Sequence, residues 1–219
     1  WRGFAVMTAL MSIINYYFFV GEVIFLILYY LVRRTGRLPL GAMVREIVRI
    51  ILAGTAGIAL AAFFLIQSLT GVIGNSRLSN MLTGYDILIY PDAGTPFAIL
   101  KSLFMVPDLI ARGTLFTNSN IANGSLAALL PCFALTGVIA YFLTRPMDWK
   151  KRLTLICALM AFIPVLNALF SALNSNYYAR WFYMPLLIMA CMTAEALEEG
   201  NQAALKKGAL VSLGFVALF

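Results

Sequence analysis

Asn174–Thr193 reads NSNYYARWFYMPLLIMACMT, a short polar loop with one arginine, Arg180, running straight into an aromatic-led apolar helix. Arg180 stands among Tyr177, Tyr178, Trp181 and Tyr183. A guanidinium carries permanent charge and a planar fork of donors that matches phosphate oxygens. Aromatic rings suit sugars and the boundary between water and an apolar phase. The chemistry this set suggests is capture of a phosphate on Arg180, ringed by these aromatics, with Asn176 in the same polar loop. The same residues also read as an aromatic belt with a snorkelling arginine at the start of a span. Arg77 is a second phosphate candidate, and Glu22, Asn15, Tyr16 and Asn118 form a possible further pocket. Glu22 lies within an apolar run, where a carboxylate is costly unless it faces a cavity or a partner or is protonated. It reads either as part of a polar pathway or substrate contact, or as a buried, hydrogen-bonded structural glutamate. Asp86, Asp92 and Asp108 are the carboxylates of the long polar loop, and none is assigned as a catalytic base.

The elements that must position these residues are membrane helices. The chain has 219 residues, of which 62% are hydrophobic and 11% charged, with a mean hydropathy of +0.90. Such a composition predicts a polytopic membrane protein. Trp1 is not a natural start and Phe219 ends inside an apolar run, so the sequence reads as a piece of a longer chain. The net charge of +7 sits mainly where apolar runs end. That is a topology signal rather than a nucleic-acid footprint, and no nucleic-acid partner is expected. Cys132, Cys157 and Cys191 fall inside apolar runs and read as packing residues. There is no histidine, CxxC pair, P-loop or glycine-rich dinucleotide motif, so neither a metal nor a cofactor site is expected.

The predicted fold is all-α: a polytopic transmembrane bundle of about five full spans, a truncated sixth and an extracytoplasmic interfacial helix. Trp1–Ser12 reads as the end of a helix or a re-entrant piece. Spans are predicted at Ile13–Val32, Ile50–Leu69, Ser125–Leu143, Leu153–Leu173 and Trp181–Ala196, with a sixth beginning near Gly208. Each is near the length needed to cross the hydrocarbon. As one transmembrane domain, residues 1–69 hold the first two spans, 70–123 the long loop and 124–219 the remaining spans. Ala53, Gly57 and Ala61 repeat every four residues, a spacing that lets helices approach closely. Within the loop, Phe97–Arg112 is amphipathic, with Lys101, Asp108 and Arg112 on one stripe and a break expected at Pro107. Pro131, Pro164 and Pro185 fall one in each of spans three to five and predict kinked helices around a cavity.

Alternation of the spans puts loops 33–49, 145–152 and 197–207 on one side. Arg33, Arg34, Arg37, Arg45, Arg49, Arg145, Lys150, Lys151, Arg152, Lys206 and Lys207 then share that side, which is cytoplasmic by the positive-inside rule. The 33–49 stretch is read as orienting the chain through anionic lipid headgroups rather than as a dedicated ligand site. Arg77, Lys101, Arg112 and Arg180 lie on the outward side against the charge bias, which marks them as better candidates for function.

SIINYYFFVGEVIFLILYYLVRR, a long loop with GNSR, NSNIANGSLAALLPCFALTGVIAYFLTR and NSNYYARWFYMPLLIMACM follow one another in this order. Together they resemble the middle of YfhO-type bacterial membrane proteins, which belong to the GT-C class of polytopic glycosyltransferases. Asn15-Tyr16-Tyr17 and Tyr178-Ala179-Arg180-Trp181 carry most of that resemblance. It implies an enzyme of the cytoplasmic membrane that moves a sugar from a polyprenyl-phosphate donor to an envelope polymer, such as a teichoic acid, or to a lipid on the outer face. It also implies that the catalytic carboxylate lies in an early outward loop outside this piece, that Arg180 holds the lipid phosphate, and that Tyr177, Tyr178 and Asn176 line the sugar or headgroup pocket. The rival reading is a lipid or small-molecule transporter or flippase, for which Glu22 and the three proline-bearing spans speak. Inverted repeats would favour it, and the two halves show no internal symmetry.

Overall fold

The computed structural model describes residues 1–16, 18–72, 82–105, 133–173, 177 and 179–218. Among these residues every regular element is helical and there is no strand. An apolar chain gains most from helices, because each satisfies its backbone groups internally. The α-helices are α1 (Arg2–Ile14), α2 (Phe19–Arg34), α3 (Leu40–Leu60), α4 (Ala62–Val72), α5 (Thr95–Phe104), α6 (Thr136–Thr144), α7 (Trp149–Phe162), α8 (Pro164–Leu169), α9 (Tyr183–Glu199) and α10 (Gln202–Leu218). Two compact units result: Trp1–Met81 with Phe170–Asn174, and Leu82–Leu169 with Ser175–Phe219.

In the first unit α1 packs on α3. The contact is made where the sequence places small residues. A Cβ on Gly57 would stand 2.8 Å from Thr8 Cβ and closer still to the Ala5 carbonyl. Ala61, one turn on, is fully buried. Gly21 of α2 is also close-packed, with a Cβ there 2.9 Å from the Phe170 carbonyl oxygen. The outer faces of this unit are apolar: Leu10, Ile14, Leu26, Ile27, Leu40, Leu52 and Phe63 are all exposed. Patches of that kind mark contact with lipid or protein rather than with water.

In the second unit α6 packs against α9 and α10. Glycine again sets the approach. A Cβ on Gly137 would lie 2.7 Å from Thr193 Cβ, and one on Gly208 would overlap the Thr136 carbonyl. Helix α5 lies against α7 and α10, and Phe104 stacks on Phe215 at 4.2 Å between ring centroids. The α6–α7 turn and the end of α9 meet in a polar cluster. Asp148 caps α7 by accepting the Lys151 backbone N–H at 3.0 Å and accepts the Tyr141 hydroxyl at 2.5 Å. Arg145 pairs with Glu199 at 3.2 Å, and Lys150 pairs with Glu195. Lys151, only 3% exposed, donates to the Phe142 carbonyl at 3.0 Å and to the Arg145 carbonyl.

Among the described residues no single helix is both long and apolar enough to cross a membrane. The bent pair Leu40–Leu60 and Ala62–Ser68, with 71° between its parts, meets the length and composition of a span. The apolar runs read as continuous spans are built as shorter helices, and the breaks have local causes. The run Ile13–Val32 is interrupted between Ile14 and Phe19, where Asn15 leaves helical geometry (φ −133°, ψ 42°). Leu153–Leu173 breaks between α7 and α8 at Pro164, which has no N–H to donate and crowds the preceding turn. Pro185 does not kink α9. It occupies the first turn, where its missing N–H leaves no helical bond unmade. Pro131 lies outside the described residues. The amphipathic stretch Phe97–Arg112 is helical from Thr95 to Phe104, and its remainder, with Pro107, Asp108 and Arg112, lies outside the described residues. Its buried face is Thr95, Ile99, Ser102 and Phe104. Phe97, at the start of this stretch, is 59% exposed.

Candidate functional site

Arg180 opens a single 3₁₀ turn, Arg180–Phe182, directly before α9. Such a turn has three residues per revolution and sends successive side chains in different directions. Arg180 is exposed, whereas Trp181 and Phe182 are each 1% exposed. The aromatics written around the arginine therefore divide. Tyr177 and Trp181 turn into the interior, and Tyr183 stays 44% exposed.

The interior side of the turn is a polar-aromatic anchor. Trp181 donates its indole N–H to Asn167 Oδ1 at 3.4 Å, and Asn167 is fully buried. Tyr90 donates its hydroxyl to the Ala161 carbonyl at 2.7 Å. Ala161 is in the last turn of α7, just before the Pro164 break, where carbonyls lack helical donors. Tyr177 packs edge-to-face on Tyr90 at 5.7 Å. Burial pushes the Tyr90 phenol above its ordinary value, with a hydrogen bond from Asn167 acting in the opposite direction. This anchor holds the backbone on which Arg180 is mounted. Beyond Phe182 lies a cavity of about 260 Å³, lined by Phe182, Leu135, Phe142, Leu155, Ala158 and Met189 among others.

The other candidates fall as follows. Asn15 and Glu22 meet in the first unit, Asn15 Nδ2 donating to Glu22 Oε1 at 2.8 Å. The break before α2 places Glu22 in the first turn of a helix rather than in mid-span. There the helix N-terminus favours a carboxylate, and Glu22 is 5% exposed. Tyr16 packs edge-to-face on Phe64 at 6.1 Å and is 44% exposed. Arg180 and Tyr177 belong to one compact unit, Glu22, Asn15 and Tyr16 to the other. Arg77, Asn118, Asn176 and Tyr178 lie outside the described residues. Asp86 sits in the 3₁₀ turn Gly84–Ile87, and Asp92 accepts the Gly94 N–H at 3.0 Å. Among the described residues no three histidine, cysteine, aspartate or glutamate side chains are grouped to hold a metal.

Sequence reasoning missed Asn167 and Tyr90. Asn167 carried a usable signal, as a carboxamide within the apolar run Leu153–Leu173, where a polar group needs a partner. Tyr90 carried none, because its partner Ala161 is 71 residues away.

A model of the family described as bacterial membrane protein YfhO matches residues 1–219. No curated protein and no solved structure matches the chain. The match covers the whole sequence, including both the Asn15–Glu22 pair and the Arg180 turn. The chain belongs to the YfhO family of bacterial membrane proteins.

Proposed function

We propose that this chain is part of a multi-pass glycosyltransferase of the bacterial cytoplasmic membrane. It moves a sugar from a polyprenyl-phosphate donor to an envelope polymer or lipid on the outer face. The observation that carries the reading is the Arg180 turn: an exposed guanidinium on a backbone pinned by buried Trp181 and Asn167. Phe182 of the same turn borders an apolar cavity. A phosphate head joined to an isoprenoid tail matches that pairing of cation and apolar space. In the proposed mechanism Arg180 holds the lipid phosphate and offsets the charge that builds on it as the sugar leaves. Tyr177, Tyr178 and Asn176 are the headgroup residues of this reading, and Arg77 is the alternative candidate for the phosphate. The acceptor hydroxyl is deprotonated by a carboxylate outside the residues assigned here.

The topology proposed with it is that of about five spans, with loops 33–49, 145–152 and 197–207 cytoplasmic. The Arg145–Glu199 pair supports one part of it, since it joins the second and third of these loops, and Lys150–Glu195 ties the second loop to the last turns of α9. A photoreactive polyprenyl phosphate tests the site. A charge-assisted hydrogen bond is worth roughly 1.5–3 kcal/mol, so Arg180→Ala should lower crosslinking about tenfold or more. Undiminished labelling would remove Arg180 from the site.

A second reading, a lipid or small-molecule transporter, is favoured by the Asn15–Glu22 pair at an interrupted apolar run. Interrupted helices with buried polar groups are where transporters bind their substrates. Translocation of a labelled lipid that is lost in Glu22→Leu, with no sugar transfer, would select this reading.

A further inference from the structure

The chain has two strongly basic turns, and they use their charge differently. At the α6–α7 turn three of the four cations are engaged, and Arg152 alone is exposed without an ion pair among the described residues. Arg145 and Lys150 are ion-paired with Glu199 and Glu195, and Lys151 is buried on the carbonyls that end α6. At the α2–α3 turn Arg33 donates to Tyr29 and Arg34 pairs with Glu46, while three more arginines carry no ion pair among the described residues. Arg33, Arg34, Arg37, Arg45 and Arg49 are all exposed there, against the single carboxylate of Glu46. Glu46 is already engaged. It pairs with Arg34 at 3.0 Å and accepts the Tyr30 hydroxyl at 2.9 Å. The two bonds tie the end of α2 to the second turn of α3, and Gly36 at φ +78° closes the connection. Arg37, Arg45 and Arg49 have no ion-pair partner among the described residues. Arg45 and Arg49 are four residues apart on one face of α3.

We propose that the α2–α3 turn is a binding site for the phosphate headgroups of anionic phospholipids, with Arg37, Arg45 and Arg49 as its donors. What selects a lipid over a soluble polyanion is the rim. Leu31, Leu40, Val44 and Val48 of the same two helix ends are exposed as well, Leu40 at 73%. A nucleic-acid groove or a soluble phosphate site has no use for such residues, whereas a headgroup delivers its acyl chains to them. The Tyr30–Glu46–Arg34 brace holds the turn in one geometry, which reduces the ordering cost of binding. The site is independent of the Arg180 turn and of the reaction proposed there.

The test offers the full chain, in neutral detergent, equal amounts of phosphatidylglycerol and phosphatidylcholine, and counts retained lipid by native mass spectrometry. The wild type should prefer phosphatidylglycerol. Each arginine near an anionic surface contributes about fivefold, so the triple variant R37Q/R45Q/R49Q should lose most of the preference. R145Q, which removes a cation already paired with Glu199, should keep it within about twofold. Raising salt from about 50 to about 500 mM should weaken the wild-type preference, a readout that needs no variant to fold. Millimolar inorganic phosphate should leave it unchanged. Equal retention by wild type and triple variant, an equal loss in R145Q, or insensitivity to salt would each overturn the proposal. Displacement by inorganic phosphate would reassign the site to a free anion and overturn the lipid assignment.

Discussion

Two glycines of α3 make opposite predictions from one helix. Replacing Gly57 by alanine puts a methyl 2.8 Å from Thr8 Cβ and closer to the Ala5 carbonyl, against backbone that has no rotamer with which to yield. Helices α1 and α3 must then separate by roughly an ångström to restore van der Waals contact. Overpacking of this kind costs typically 1–3 kcal/mol, and direct overlap with a carbonyl belongs at the upper end. Alanine recovers about 1 kcal/mol of helix propensity. The net expectation for Gly57→Ala is therefore a loss of roughly 2 kcal/mol. Gly54 faces the same neighbour, but its nearest atom, Phe4 Cε1, is 3.9 Å from a built Cβ. Gly54→Ala meets only ordinary contact and should gain up to about 1 kcal/mol. Thermal unfolding of the two variants in one detergent, followed by tryptophan fluorescence, reads the difference. Gly57→Ala should melt several degrees below wild type and Gly54→Ala at or above it. Equal melting temperatures, or the reverse order, would refute the close α1–α3 packing.

The remaining predictions concern the second unit. Asp148→Ala removes the α7 N-cap and the acceptor of the Tyr141 hydroxyl, and should cost about 1–2 kcal/mol by the same melting assay. Asn167→Leu keeps the volume but takes the acceptor from the Trp181 indole N–H; a loss of roughly 1–3 kcal/mol is expected, with an altered Trp181 emission. Because the buried Tyr90 phenol ionises above its unfolded value, its contribution is intact below about pH 10 and is lost as pH rises beyond that. Stability followed through the alkaline range should therefore fall less steeply in Tyr90→Phe than in wild type, and identical slopes would contradict the burial of Tyr90.

Helical class and family were both readable from the residues. Hydropathy gave the first, and the ordered segments around Asn15-Tyr16 and Ala179-Arg180-Trp181 gave the second. The Ala53–Gly57–Ala61 spacing was legible because a four-residue repeat of small side chains has one use in a helix, close approach to another. The interruptions were not legible. A hydropathy window averages over Asn15–Phe18 and passes through Pro164, whereas the backbone responds to a single side chain or a missing N–H. The two prolines show why composition alone misleads: Pro164 breaks a helix and Pro185, in a first turn, does not. At the candidate site the sequence singled out Arg180 but drew its neighbours as a ring. Three-residue periodicity in the turn sends Trp181 and Phe182 inward and leaves the arginine outside. The partners they meet, Asn167 and Tyr90, come from distant parts of the chain, and no local pattern announces such contacts.

The central claim, that the Arg180 turn holds the phosphate of a sugar donor, is tested most directly by sugar transfer. Membranes containing the full-length protein are given a polyprenyl-phosphate sugar labelled in the sugar, and transfer to envelope polymer is followed in wild type and Arg180→Ala. Loss of one charge-assisted phosphate contact predicts transfer about tenfold to a hundredfold slower at equal protein level. Transfer undiminished in Arg180→Ala, or no transfer by wild type from any of several donors, would contradict it.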